Sequence, residues 1–348
     1  DYRTTGEQKH SMQYVISPQG GLAAYHQSKI NDILIRGLSA TLGIRYDWEK
    51  TKSTYESITP TAVADPRIND MSFSQVSPKA SVQYSFKNDG LAYISVARGY
   101  KTGGFNNTAD NEIKEDWTFD PEHSWSYEIG AKSSFLNDLL SLDLALFYID
   151  WKDQQITQPK TLTNGYILRN AGKSVSKGFE FTAQVNPLKN LNFQLSYGYT
   201  NAKFKDYKNG DKVYDNNYLP MVPQNTLTLA TNYTIGLGDF WPDNIVLNAQ
   251  YTGVGKIYWN DENNVTQPYY GLFNGRISFV KNDFSIDLWT KNIGNTDYIS
   301  YYFSTTNGTK HYVQKGRPFT CGINMNLKFL VWLIFKKEEN YLHSFAYI

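Results

Sequence analysis

The residues of this chain that invite chemistry are rings and cations placed where the sequence turns polar and irregular. Arg98, Tyr100, Lys101 and Phe105 cluster near one such stretch, Trp117 and Phe119 in the next, Tyr258 and Trp259 in a third, Tyr301 and Tyr302 in a fourth. Aromatic faces and basic groups together suit non-covalent capture of an anionic or aromatic ligand. The same rings equally fit a girdle at a membrane interface. Covalent chemistry has no comparable foothold. The five histidines (His10, His26, His123, His311, His343) are scattered without metal-ligand spacing. Of these, His123 and His311 fall in or beside the same irregular stretches, where a ligand contact is conceivable alongside plain solvation. Gly253-Val254-Gly255-Lys256 lacks the following helix of a phosphate loop and reads as glycine at a strand end. No catalytic constellation, metal site or cofactor motif emerges, so the chain is not expected to be an enzyme.

The elements that must hold these residues are strands. Residues 316–329 read GRPFTCGINMNLKF, and Phe319, Cys321, Ile323, Met325, Leu327 and Phe329 alternate with Thr320, Gly322, Asn324, Asn326 and Lys328. Strict period two makes a strand with one greasy and one wet face. Such a strand ending on an aromatic suits a wall between lipid and a polar lumen. By the same alternation Cys321 acts as a small hydrophobe. Residues 191–200, 226–235 and 245–252 repeat the design, while 91–100 does not alternate cleanly and its lipid side stays unassigned.

Composition permits this architecture. The 348 residues carry 34 Lys+Arg against 33 Asp+Glu, a net charge of +1, without the basic stripe nucleic acid requires. Mean hydropathy is -0.51, and no run approaches the ~20 apolar residues of a spanning helix. Alternating strands hide their apolarity from that index. The load of 27 Tyr, 19 Phe and 8 Trp fits interface girdles or a Tyr-rich soluble β-protein. One cysteine excludes an internal disulfide framework.

Loop length separates those two readings. Predicted hairpins pair 81–86 with 91–97, 124–135 with 140–150, 178–185 with 191–200, 226–235 with 245–251, and 271–280 with 284–291. Their turns are short, whereas the intervening segments 56–71, 107–121, 158–165, 205–219, 258–268 and 300–315 are long and polar. Short turns at one end and long loops at the other are the asymmetry of a transmembrane barrel. Counting back from Phe329 gives about 13 strands, the first near Gly20. An odd count, and an opening DYRTTGEQKH without an export leader, point to the later part of something larger.

With strands and loops placed, several phrases resemble the C-terminal barrel half of TonB-dependent outer-membrane receptors. They are Ser77-Pro78-Lys79-Ala80 with YISVARGYKTGGF (93–105), YEIGAKSSF (127–135) with LFYIDWKDQQ (146–155), SKGFEF (176–181) with LSYGYTNAKF (195–204), and LWTKNIGNTDY (288–298) with the closing strand. The resemblance implies an all-β, transmembrane antiparallel β-barrel of which strands 10–22 of 22 are present, without the plug domain. Residues 1–19 are then an outer-loop remnant, 20–329 the barrel portion and 330–348 a tail outside the family pattern, from a split or frameshifted gene or a genuine extension. It further implies a bacterial outer-membrane receptor that imports a scarce ligand such as a ferric siderophore, with lipid around it and the TonB complex reached only through the missing N-terminal part. A passive porin-like channel is the alternative, and a soluble β binding module the third reading. Open sheet edges lead us to expect that the portion alone does not transport, and that the fold is either an open curved sheet or a smaller closed barrel.

Overall fold

The computed structural model describes residues 2–4, 7–9, 12–59, 62–63, 67–86, 90–110, 112–160, 162, 165–238, 240–304 and 310–328. Among these residues thirteen main antiparallel strands follow one another in space as in sequence. They are β1 (Gln19–Ile30), β2 (Leu38–Thr59), β3 (Arg67–Phe86), β4 (Gly90–Lys101), β5 (Glu122–Phe135), β6 (Leu140–Pro159), β7 (Tyr166–Leu188), β8 (Leu191–Asn209), β9 (Asn225–Gly236), β10 (Asn244–Val254), β11 (Tyr270–Lys281), β12 (Phe284–Lys291) and β13 (Thr320–Leu327). Met12–Ile16 pairs with β2 beyond the end of β1 and prolongs the same ladder. Among the described residues no pairing joins β1 to β13, so the sheet is an open path. That is the first of the two expected forms, although Phe329, expected at its edge, lies outside the described residues.

All five expected hairpins form; the turn expected at 87–89 lies outside the described residues. Asn137 and Asp138 take φ of 54° and 64° in the turn after β5, a left-handed geometry that short polar side chains tolerate. The turn expected over 186–190 is tighter, because β7 continues to Leu188. Pro187, which has no N–H to offer, falls in the register shift between Val185 and Leu188.

Alternation sorts the side chains as a membrane wall requires. Along β2, Leu42, Ile44, Tyr46 and Trp48 are exposed while Ser39, Asp47 and Ser53 are buried. Apolar outside and polar inside is the reverse of a water-soluble sheet. Cross-strand partners share a face, so Val82, Ile94, Ile129 and Leu146 continue the outer band from strand to strand. This settles the side of β4, which sequence left unassigned: Ile94 faces outward and is 57% exposed. Phe319, Cys321, Ile323, Met325 and Leu327 are likewise exposed, on or beside the last strand.

The wall is much taller than a bilayer. β2 has 22 residues and β7 has 23, whereas a tilted strand crosses hydrocarbon in about 9–11. The excess lies at the end bearing the long connections, so segments expected as loops at 56–59, 67–71 and 205–209 are strand. Those upper halves build the outer mouth.

Candidate ligand site at the outer mouth

The connection 102–121 folds back onto the wall rather than standing in solvent. Its pivot is Asn106, whose amide donates to the Asp116 carbonyl (2.8 Å) and the Leu168 carbonyl (2.7 Å) and accepts from the Leu168 N–H (3.0 Å). Arg169 of β7 grips Asp116 with two parallel bonds, Nε to Oδ1 at 2.7 Å and Nη2 to Oδ2 at 2.5 Å. Gln155 and Asn170 bind the carbonyl of Asp120 at 3.1 and 2.7 Å. These side chains supply the bonds that an irregular backbone loses when it leaves water.

Two glycines make the fold-back possible. A Cβ on Gly103 would lie 2.3 Å from the Phe119 carbonyl oxygen, and one on Gly104 would lie 2.8 Å from the Phe119 ring. The Gly-Gly-Phe phrase therefore lets Gly104–Phe105 pair with Thr118–Phe119, bringing together three of the predicted ligand residues: Phe105, Phe119 and, after a 3-10 turn over Lys114–Trp117, Trp117. The Trp117 indole N–H donates to the Asp110 carbonyl at 3.1 Å. Its ring lies under the Arg67 guanidinium at 4.7 Å, and the same guanidinium stands 5.0 Å from the Tyr55 ring. Arg67 is only 7% exposed; Nη2 reaches the Asn107 carbonyl, while Nε and Nη1 have no hydrogen-bond partner among the described residues.

Arg98 and Tyr100 are tied into the wall. The β3–β4 ladder ends at Lys79 opposite Ala97, and above it Arg98 donates to the Val76 carbonyl (2.6 Å) and meets His123 Nδ1 (3.1 Å). Arg98 thus bridges strands that have parted. Tyr100 donates to Glu49 at 3.2 Å, beside an inward ion pair of Arg45 with the buried Asp47. Lys101, opposite Glu122 in the register, is exposed.

Two further groups of rings close the other side. Phe204, Tyr207 and Tyr214 stack at centroid distances of 4.5 and 5.2 Å. The wholly buried Tyr207 donates to Asp261 Oδ2 at 3.0 Å. Burial holds the Asp261 carboxyl above the usual carboxylate range, an effect the Tyr207 bond opposes. Neighbouring Glu262 is held below its ordinary value, first by its bond to Lys212. The second group packs Ile257, Trp259 and Tyr302 with Val254, Val265 and Ile299. Tyr302 belongs to a hairpin, Ile299–Ser304 with His311–Lys315, and its hydroxyl meets His311 Nδ1 at 2.7 Å. Tyr166 of β7 donates to the Ser304 carbonyl at 3.1 Å, tying this hairpin to the strand five places away along the sheet.

The predicted residues are therefore gathered unevenly. Phe105, Trp117 and Phe119 share one folded-back connection, with Phe105 on the opposite face of its short ladder from Phe119. Trp259 and Tyr302 pack in one cluster, and Tyr301 is exposed beside Phe303. Tyr258 is on the opposite face from its neighbour Trp259, stacked on Tyr218. Sequence reasoning missed Arg67 with Tyr55, the Tyr207–Asp261 pair and the row Arg45, Asp47, Glu49. That last row carried a signal: charges alternate with Tyr46 and Trp48 at strand spacing. Among the described residues no group of three or more His, Cys, Asp or Glu could hold a metal ion.

Residues 29–293 match the family described as TonB dependent receptor-like, beta-barrel. The pesticin receptor of Yersinia pestis is 26% identical over 295 residues, which is 82% of this chain and 41% of that protein. The ferrioxamine receptor of Yersinia enterocolitica is 25% identical over 293 residues, 81% of this chain and 38% of its own. The chain thus spans about two fifths of the length of these relatives. Among solved structures, the ferric yersiniabactin uptake receptor of Yersinia pestis superposes with a TM-score of 0.77 at 22% identity, over 92% of this chain and 47% of the other. A siderophore receptor of Acinetobacter baumannii superposes with 0.69 at 20% identity, covering 90% and 44%. At these identities the superpositions establish the fold.

Proposed function

Because the chain belongs to the TonB-dependent receptor β-barrel family, an outer-membrane family, we propose that it forms the later wall and part of the outer mouth of an importer for a ferric siderophore. The observation that carries this reading is the pinned connection 102–121, which holds Trp117 against the cation of Arg67 and carries Phe105 and Phe119 on the adjoining ladder. A relative named for ferrioxamine supports a ligand of that class. Rings and a desolvated guanidinium suit an anionic, partly aromatic iron chelate. The iron is cargo, and the wall needs no metal ligands of its own.

Import against a gradient requires energy. We assign the contact with the TonB complex to the part of a full-length receptor outside the matched region. Two unpaired strand edges in lipid would cost several kcal/mol per unsatisfied group, as an order of magnitude, so the chain alone is expected to be inactive. The test is growth on ferric siderophores as sole iron source in cells lacking other receptors. A full receptor carrying this wall should support growth with TonB and not without it. Growth independent of TonB would favour a passive channel and overturn the reading.

A further inference from the structure

The outward face above the apolar band carries a built cationic rim that the ligand reading does not use. Register fixes its orientation. On β7 and β8 the pairs Val185–Phe193, Ala183–Leu195, Phe181–Tyr197, Phe179–Tyr199, Lys177–Asn201 and Val175–Lys203 follow without interruption. All stand on one face, and Phe193 and Tyr199 are exposed on it. Phe179 lies 5.7 Å from Tyr197 and 6.0 Å from Tyr199, and two strands further on Tyr251 of β10 and Tyr269, just before β11, join hydroxyls at 2.7 Å. This is an aromatic belt of the kind that marks the outer end of the hydrocarbon.

Lys177 is the next outward position above Phe179, and Lys203 stands two outward positions above Tyr199, roughly 7 and 14 Å higher at strand rise. Lys203 forms a bridge with Tyr218 and lays its ammonium 4.5 Å from that ring. Tyr218 stacks on Tyr258 at 5.2 Å and 10°. Lys256 covers the far ring at 4.4 Å and donates to the Tyr258 hydroxyl at 3.0 Å. Lys203, Tyr218, Tyr258 and Lys256 form a two-ring stack with an ammonium group held at each ring. Ring faces attract these ammonium groups without neutralising them. None of Lys177, Lys203 and Lys256 makes an ion pair with a carboxylate among the described residues, whereas Lys173 above them is paired with Asp206 at 2.9 Å. One outward carboxylate, Asp150 of β6, pairs with Val175 and so stands level with Lys203, with Val175 between them.

Unpaired cations fixed on the lipid side, just beyond the aromatic belt, face the layer where lipid phosphates lie. We propose that Lys177, together with Lys203 and Lys256 held by the Tyr218–Tyr258 stack, binds the phosphate groups of an outer-leaflet lipid headgroup. The proposal rests on the membrane placement of the wall and not on which ligand the mouth accepts.

The receptor, extracted from outer membranes in mild detergent, is incubated with a diphosphorylated glycolipid, with its dephosphorylated form, or with inorganic phosphate, and bound lipid is read by native mass spectrometry. Substituting all three lysines by Gln should lower occupancy by the diphosphorylated lipid by roughly fivefold per lysine. Lys177→Gln, which leaves the stack intact, should give its own share of that fall, and Lys256→Arg should retain binding. Equal occupancy of wild type and triple variant overturns the proposal, as does equal binding of the dephosphorylated lipid. Displacement of lipid by inorganic phosphate would assign the rim to a free anion and overturn it too. Growth on iron chelates reads the mouth independently, so failure of one leaves the other standing.

Discussion

At the scale of single residues, the mouth is held by polar groups with few substitutes. Arg169 is the clearest, because Asp116 is buried and receives both its bonds from that one guanidinium. Arg169→Ala should strand the carboxylate and loosen the 102–121 connection by on the order of 2–4 kcal/mol, read as faster protease cleavage there with the strands intact. Asp261 gives a pH signature. Its folded pKa is raised by burial, so the folded protein holds the proton more tightly than the unfolded one. Its contribution is therefore full at low pH and declines as pH rises from the ordinary carboxylate value through the raised one. Asp261→Asn should remove that decline. Comparison of hydrogen-exchange protection of residues 255–269 in wild type and variant at each pH checks this, and parallel curves would refute it.

Among elements, the 102–121 connection depends on two missing side chains. Gly103→Ala would drive a methyl into the Phe119 carbonyl oxygen at 2.3 Å, where backbone has to move. A cost of about 1–3 kcal/mol is expected, with Trp117 fluorescence reporting release of the loop from Arg67; an unchanged spectrum and protease pattern would contradict it. This element also shows why the mouth was only partly legible in sequence. Strands announce themselves by period two, so the paired hairpins and the greasy faces of β8, β9, β10 and β13 could be read directly. Phe105, Trp117 and Phe119 could be suspected as rings in a polar stretch. What brings them together is Asn106 bonding Leu168 from 62 positions away, and no local pattern encodes that. Arg67 escaped notice because its partners, Tyr55 and Trp117, come from different strands and loops. The upper ends of β2, β3 and β8 (56–59, 67–71 and 205–209) read as loops since, beyond the lipid, neither face needs to be uniformly apolar.

Over the whole molecule, outside-in polarity governs what mutation does. Ile94 is 57% exposed, and in a water-soluble sheet a charge there would be nearly neutral. Inside the lipid band, Ile94→Arg should cost about 2–4 kcal/mol toward mid-membrane, seen as lower insertion into phospholipid vesicles; unchanged insertion would contradict the placement of the band. The faces are kept in step by alternation, and that step is broken once on β10's upward path. Strand geometry lapses at Gly255-Lys256, after which Ile257 and Trp259 pack with Val254 while Tyr258 stacks on Tyr218. Below the lapse, gain or loss of one residue would turn every later side chain inside out. At the lapse the same event is absorbed. Inheritance can therefore rewrite the upper wall one codon at a time, while the stretch beneath it tolerates change only in pairs, and the part that meets the world is free to diverge from the part that meets the lipid.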